Sequence, residues 1–150
     1  TGERHFTRYE FKSLLVEGGT AVIQPDVTHA GGITELEKIA AMADAFDVPV
    51  VPHSPLSPVA FAASLQVDFA AHNVVLQEQD LNLPTPESST ALQYLEDPTV
   101  FDFEDGYVER PEGDGLGIEV DEDHVRERST ASVNWRSPEW YYEDESLAEW

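Results

Sequence analysis

Short apolar runs alternate with helical patterns along the first half of the chain. Three runs rich in Val, Ile and Leu are too short for helices and suit buried strands. These runs lie at 21–24, 48–51 and 73–76. Apolar residues recur at helical spacing over 8–17, 34–46 and 58–70. Strand and helix therefore alternate, which predicts parallel strands joined by helices.

Boundary signals support this division. Gly18 and Gly19 predict the end of the first helix, and Thr34 with Glu37 forms a capping-box pattern at the start of the second. Ser57 followed by Pro58 supplies an N-cap and a first-turn proline for the third. The alternation of strand and helix patterns ends after Glu78. Beyond it we predict a helical stretch near 91–95, a turn over 113–117, a strand over 117–120 and a short helix over 122–128.

Three titratable residues follow the three predicted strands: Asp26, His53 and Glu78. Carboxyl ends of parallel strands meet at one edge of a sheet, where catalytic residues of (β/α)-barrels collect. A carboxylate beside a histidine there would orient the imidazole and raise its basicity. A complete barrel needs about 250 residues, whereas this chain has 150. We therefore expect an α/β fold that forms the carboxyl-terminal part of a barrel.

Structural roles for the same residues remain open. Asp26 could cap a turn, Glu78 could close the barrel mouth with a salt bridge, and a histidine at a strand end is often structural. His29 and His5 lie in predicted mouth loops and could line the site. The Gly31–Gly32 pair suits a tight turn better than a phosphate site, because no phosphate-binding motif accompanies it. No zinc motif is present, and carboxylates from separate strands suit Mg²⁺ instead.

The chain is strongly acidic, with a net charge of -22. Four basic and ten acidic residues give -6 up to Glu78, and four basic and twenty acidic residues give -16 beyond it. This charge argues against a nucleic-acid partner. Adaptation to high salt is the favoured explanation, and an ordinary acidic protein is the alternative. With no cysteine, no signal segment and no membrane-spanning run, we expect a soluble, cytoplasmic protein without a membrane partner.

Several long motifs carry a family resemblance. They are GERHFTRYEFK, LLVEGGTAVIQPDVTHAGGITE, KIAAMADAFDVPVVPHSPLSPVAFAASLQVDF, HNVVLQEQ and the closing NWRSPEWYYEDESLAEW. On these motifs the chain resembles the carboxyl-terminal part of galactonate dehydratases and related sugar-acid dehydratases, in the mandelate racemase branch of the enolase superfamily. The resemblance implies a modified (β/α)₇β barrel. It also implies that residues 1–80 form barrel units. Residues 81–150 are then an acidic segment that packs on the barrel and on a capping domain, which these 150 residues do not include.

The resemblance also implies a role for each site residue. Glu3 corresponds to the last of three carboxylate ligands of Mg²⁺, His53 to the general base, Asp26 to its dyad partner and Glu78 to a group that stabilises the transition state. The implied reaction removes the proton α to a sugar-acid carboxylate and then eliminates the β-hydroxyl as water, leaving a 2-keto-3-deoxy acid. The implied partner is a small-molecule aldonate, and the implied full-length assembly is a homo-oligomer.

Two metal ligands and the acid catalyst of the family would precede residue 1. We therefore expect the 150-residue chain to be inactive by itself. A racemase or cycloisomerase with the same dyad is the nearest alternative, and a non-catalytic fragment is the other. The sequence does not choose among galactonate, gluconate and xylonate.

Overall fold

The computed structural model describes residues 1–81, 88–130 and 140–147. Most of the closing motif, at 134–150, lies outside these residues. The helices are α1 (Thr7–Glu17), α2 (Val27–Ala30), α3 (Ile33–Asp44), α4 (Pro58–Asp68) and α5 (Glu122–Ser129), with a 3₁₀ helix at Ser88–Tyr94. No helix among the described residues has the length and apolar character needed to cross a membrane.

Three short strand segments pair in parallel, as the apolar runs predicted. Ile23 pairs with Val50, and Val50 pairs with Val74, so the segments lie side by side in chain order. The Val51 N–H donates to the Ile23 carbonyl at 2.9 Å, and the Val75 N–H donates to the Val50 carbonyl at 3.1 Å. The paired segments are short, but their order and direction are those of successive strands in a βα-barrel.

Helices α1, α3 and α4 cover this sheet and form the main hydrophobic core with it. Ile23 and Val50 are fully buried, as are residues from the apolar faces of α1 and α3. A second cluster joins α4 to the later part of the chain, where Phe61 meets Phe101 edge to face at 5.0 Å between ring centroids. Helix α4 thus has apolar residues on both sides, and it connects the sheet to the acidic segment.

The helix predictions are largely confirmed, with Ser57 capping α4 through the Ala60 N–H at 3.1 Å. The predicted Thr34–Glu37 capping box is wrong. Helix α3 begins at Ile33, and Gly32 is its N-cap without a side-chain hydrogen bond. Gly32 has a φ of 90°, a conformation that glycine adopts without strain, so the helix is capped two residues earlier than the polar pattern predicted.

The later part of the chain differs more from prediction. A hairpin of β1 (Phe103–Glu104) and β2 (Tyr107–Val108) was not predicted, because each strand has only two residues. The predicted strand over 117–120 makes a single antiparallel pair, Leu95 with Val120. The helical stretch near 91–95 is the end of the 3₁₀ helix, which stops at Tyr94. The predicted helix over 122–128 is confirmed as α5.

Candidate active site

The ends of neighbouring chain segments form a row at one edge of the sheet. The Gln24 N–H donates to the Thr1 carbonyl at 2.8 Å, so Glu3 and Asp26 each lie two residues beyond this contact. Asp26 is paired in turn with His53. The Glu78 N–H donates to the Pro52 carbonyl at 3.2 Å, which places Glu78 beside His53 in the row. The four residues singled out from the sequence therefore share one rim.

Asp26 and His53 are in direct contact. The His53 Nδ1 lies 2.8 Å from the Asp26 Oδ2. The other carboxylate oxygen, Oδ1, accepts the Thr28 N–H at 2.7 Å, the Thr28 hydroxyl and the His29 N–H at 3.3 Å. Asp26 is only 1% exposed, whereas the His53 side chain is 21% exposed. A buried and fully bonded carboxylate thus holds a partly accessible imidazole.

The charge state of Asp26 decides the tautomer of His53. Burial by itself raises the pKa of Asp26, but hydrogen bonds from Thr28 and His53 outweigh burial and hold the pKa below its ordinary 3.8. The carboxylate is therefore ionised near neutral pH and can only accept hydrogen bonds. The neutral His53 ring must then carry its proton on Nδ1, which leaves a lone pair on Nε2. This is the arrangement of a histidine that serves as a base.

Glu3 lies at the end of the first segment of the row, and its carboxylate bonds to the preceding residue. Its Oε2 accepts the Gly2 N–H at 3.1 Å. The backbone N–H of Glu3 itself lowers the pKa of the carboxyl most, burial opposes this, and the charge of His53 is among the further influences that lower it. The net pKa lies below the ordinary 4.5, so Glu3 is ionised near neutral pH. The backbone contacts of the row place Glu3 at the same edge of the sheet as His53.

An ionised carboxylate is the kind of oxygen ligand that Mg²⁺ prefers, so Glu3 fits the chemistry of a magnesium site. Glu3 is, however, a single ligand. Among residues 1–81, 88–130 and 140–147, no group of three or more His, Cys, Asp or Glu side chains could hold a metal ion. A complete site would need ligands from outside these residues.

Glu78 lies on the same rim, but its side chain is held less firmly than those of Asp26 and His53. Its backbone is fixed to Pro52, and its side chain is exposed. In the described part of the chain, the structure gives the Glu78 carboxylate no hydrogen-bond partner. The Asp26–His53 contact is therefore the tight part of the site, whereas Glu78 is held only through its backbone.

Sequence reasoning missed two residues that support the site. The Thr28 backbone and hydroxyl both bond to Asp26, and a D-x-T pattern ahead of the Gly31–Gly32 pair was the available signal. Gly2 has a φ of 125°, and a Cβ there would lie 2.7 Å from the Phe11 ring. No pattern in the sequence reports that contact, because it depends on the packing of α1.

Comparison with known proteins agrees with this geometry. The profile of the family described as "Enolase C-terminal domain-like" matches residues 1–124. Two curated relatives are D-galactonate dehydratases from Variovorax paradoxus, 50% identical over 149 residues, and from Ralstonia nicotianae, 48% identical over 149 residues. Each alignment covers 99% of this chain and 39% of the relative. The chain thus spans about two fifths of the length of these relatives.

A solved structure supports the same assignment. An enolase from Agrobacterium radiobacter, described as a candidate galactarate dehydratase with sodium and L-malate bound, is 32% identical with a TM-score of 0.81. That alignment covers 98% of this chain and 39% of the other. The parallel strand order, the shared rim and these matches together place the chain in the enolase C-terminal domain-like family, as part of the TIM barrel of mandelate racemase and muconate lactonizing enzyme relatives.

Proposed function

We propose that this chain carries the base-bearing half of an active site that dehydrates a sugar acid of the galactonate, gluconate or xylonate type. The observation that carries the proposal is the 2.8 Å contact between the His53 Nδ1 and the buried Asp26 carboxylate, on a rim shared with Glu3 and Glu78. The identity of 50% with a D-galactonate dehydratase favours elimination over other reactions of a base at this position.

In the proposed mechanism, the His53 Nε2 takes the proton from the carbon α to the substrate carboxylate. The electron pair left at that carbon forms a double bond to the β-carbon, and the bond from the β-carbon to its hydroxyl breaks. The hydroxyl leaves as water with a proton from an acid outside the described residues, and His53 keeps the proton it removed. The resulting enol tautomerises to a 2-keto-3-deoxy acid. Ionised Asp26 stabilises the His53 imidazolium formed in the first step, which makes proton removal easier near neutral pH.

Glu3 and Glu78 complete the proposal. Glu3 is the described residue that would hold Mg²⁺, with further ligands from outside the described residues. When bound, the ion would stabilise the negative charge that develops on the substrate carboxylate. Glu78, exposed at the end of the third strand segment, is assigned to contact the substrate in the transition state.

We propose further that the 150-residue chain is inactive without the rest of a barrel. Val75 and Leu76 of the third strand segment are 57% and 70% exposed, as expected for a strand that lacks its next neighbour. Residues 1–80 are assigned to the barrel and 81–150 to the segment that packs against it and the capping domain. The complete enzyme is proposed to be a homo-oligomer that acts on a small molecule, and the charge of -22 argues against nucleic acid.

The test is a chimera in which residues 1–150 replace the matching segment of the Variovorax paradoxus D-galactonate dehydratase. With Mg²⁺ and an aldonate library, we expect the chimera to form a 2-keto-3-deoxy acid and the isolated chain to form none. Recovery of a C2 epimer in place of the dehydrated product would indicate a racemase. Turnover by the isolated chain would contradict the proposal that it needs the rest of the barrel.

A further inference from the structure

His29 connects the two parts of the rim that carry Glu3 and Asp26. Its Nδ1 lies 2.9 Å from the Glu3 carbonyl oxygen, across 26 residues of chain. Its backbone N–H donates to the Asp26 Oδ1 at 3.3 Å. One residue therefore contacts both the peptide of Glu3 and the carboxylate that holds His53.

The chemistry of these contacts fixes the direction of each hydrogen bond. A backbone carbonyl only accepts, so the His29 Nδ1 must carry a proton and donate it to Glu3. The Phe6 ring lies beside the imidazole, with 6.3 Å between ring centroids.

The Glu3 peptide follows a turn that begins at a glycine. Gly2, with a φ of 125°, takes a conformation open to few other residues, and the His5 N–H closes a turn onto the Gly2 carbonyl at 2.9 Å. The bond from the Gln24 N–H to the Thr1 carbonyl joins the two segments before this turn. The His29 imidazole adds a second link at Glu3 itself, beyond the turn's glycine.

We propose that His29 is a positioning residue, which ties the Glu3 loop to the Asp26 turn and so fixes the Glu3 carboxylate relative to the His53 imidazole. Its effect on catalysis rests on the function proposed above, whereas its effect on the Glu3 loop does not. His29 itself is not assigned contact with substrate.

The first test measures hydrogen exchange of the Glu3, Arg4 and His5 amides by NMR in the full chain. His29→Ala is expected to speed exchange about 5- to 10-fold, the equivalent of one hydrogen bond. His29→Asn is expected to restore slow exchange, because its amide nitrogen occupies the position of Nδ1. The matched control is His72→Ala, since His72 is 83% exposed and, among the residues that the structure describes, its ion pair is with exposed Asp44. Unchanged exchange in His29→Ala, or equal acceleration in both His29 variants, would overturn the proposal.

The second test uses the chimera and separates this inference from the proposed function. His29→Ala is expected to lower kcat about 10- to 100-fold, the usual effect of losing an orienting contact, with His29→Asn close to the unsubstituted chimera. A kcat unchanged by His29→Ala in an active chimera would overturn the positioning role. If the unsubstituted chimera forms no dehydrated product, the proposed function fails, and the exchange measurement alone decides the role of His29 in the loop.

Discussion

At the scale of single residues, the site depends on one carboxylate with two duties. Asp26 caps the short helix α2 through the Thr28 and His29 N–H groups, and it also holds the His53 imidazole. The sequence offered these as alternatives, a turn cap or a dyad partner, and the structure combines them because each carboxylate oxygen serves one purpose. Capping thereby immobilises the carboxylate whose other oxygen holds the His53 imidazole.

Replacing Asp26 with Asn tests this double duty. The amide can still cap α2, but it has no charge to stabilise the imidazolium and can present its NH₂ to the His53 Nδ1. We expect kcat of the chimera to fall about 100-fold or more, with a change in unfolding midpoint much smaller than that of Asp26→Ala. Retention of full kcat in Asp26→Asn would show that the charge is not needed.

The lowered pKa of Asp26 also predicts a pH dependence of stability. A depressed carboxyl pKa stabilises the folded state above the unfolded value of 3.8, and this contribution is lost as pH falls through the folded pKa. The unfolding free energy of the chain is therefore expected to decrease more steeply below pH 3.8 than that of Asp26→Asn. Urea titrations at a series of pH values measure this free energy. Identical pH dependence in the unsubstituted chain and in Asp26→Asn would contradict the prediction.

Gly2 is the residue whose contacts the sequence could not reveal. A methyl group there would meet the Phe11 ring at 2.7 Å in a backbone conformation that strains other residues. Gly2→Ala is therefore expected to cost about 1–3 kcal/mol of unfolding free energy. Gly19→Ala is the control, because a Cβ at Gly19 meets nothing within 4 Å. Equal thermal midpoints for the two variants would contradict this account of Gly2.

At the scale of elements, the strand order and most helix bounds could be predicted, because apolar periodicity reports burial directly. The misses have physical causes. Helix α2 has only four residues and is capped by the Asp26 carboxylate, so it is too short to produce a periodic apolar pattern in the sequence. The hairpin β1–β2 packs on α4 through contact of Phe103 with Phe61. This contact is distant in sequence, so local patterns do not predict it. The Asp26–His53 pairing was predictable, because the register of neighbouring strand ends follows from the parallel order.

Helix α4 ends on a residue that the site does not use. Asp68 has both carboxylate oxygens buried without a hydrogen-bond partner among the described residues, and burial raises its pKa to about 7. It lines a cavity with Phe61, Leu65 and Tyr107, where a neutral acid is better tolerated than a carboxylate. A negative charge at a helix C-terminus is also unfavourable.

This placement predicts a pH effect of opposite sign to that of Asp26. Because the folded pKa is raised, folded stability falls as pH rises from 3.8 to about 7 and then levels. Asp68→Asn is therefore expected to increase the urea midpoint at pH 8 and to change it little near pH 4. Asp123→Asn, on an exposed position of α5, is the matched control. An Asp68→Asn effect that is the same at both pH values would contradict the assignment.

At the scale of the whole molecule, the main feature is the net charge of -22. Thirty acidic residues against eight basic ones repel each other in the folded state, and salt screens this repulsion. We propose that the chain is adapted to high salt, and we expect its urea midpoint to rise with KCl. Most of the rise is expected below about 1 M, where the screening length has fallen to about 3 Å. A midpoint that is flat or falling between low and molar KCl would contradict this.

The central claim is that His53, held by Asp26, removes the α-proton of an aldonate. The most direct measurement follows loss of deuterium from C2-deuterated D-galactonate to solvent by NMR, in the chimera and in its His53→Asn variant. The account predicts deuterium release together with product in the chimera, and neither in the variant even though the variant remains folded. Deuterium release at an undiminished rate by His53→Asn would contradict it.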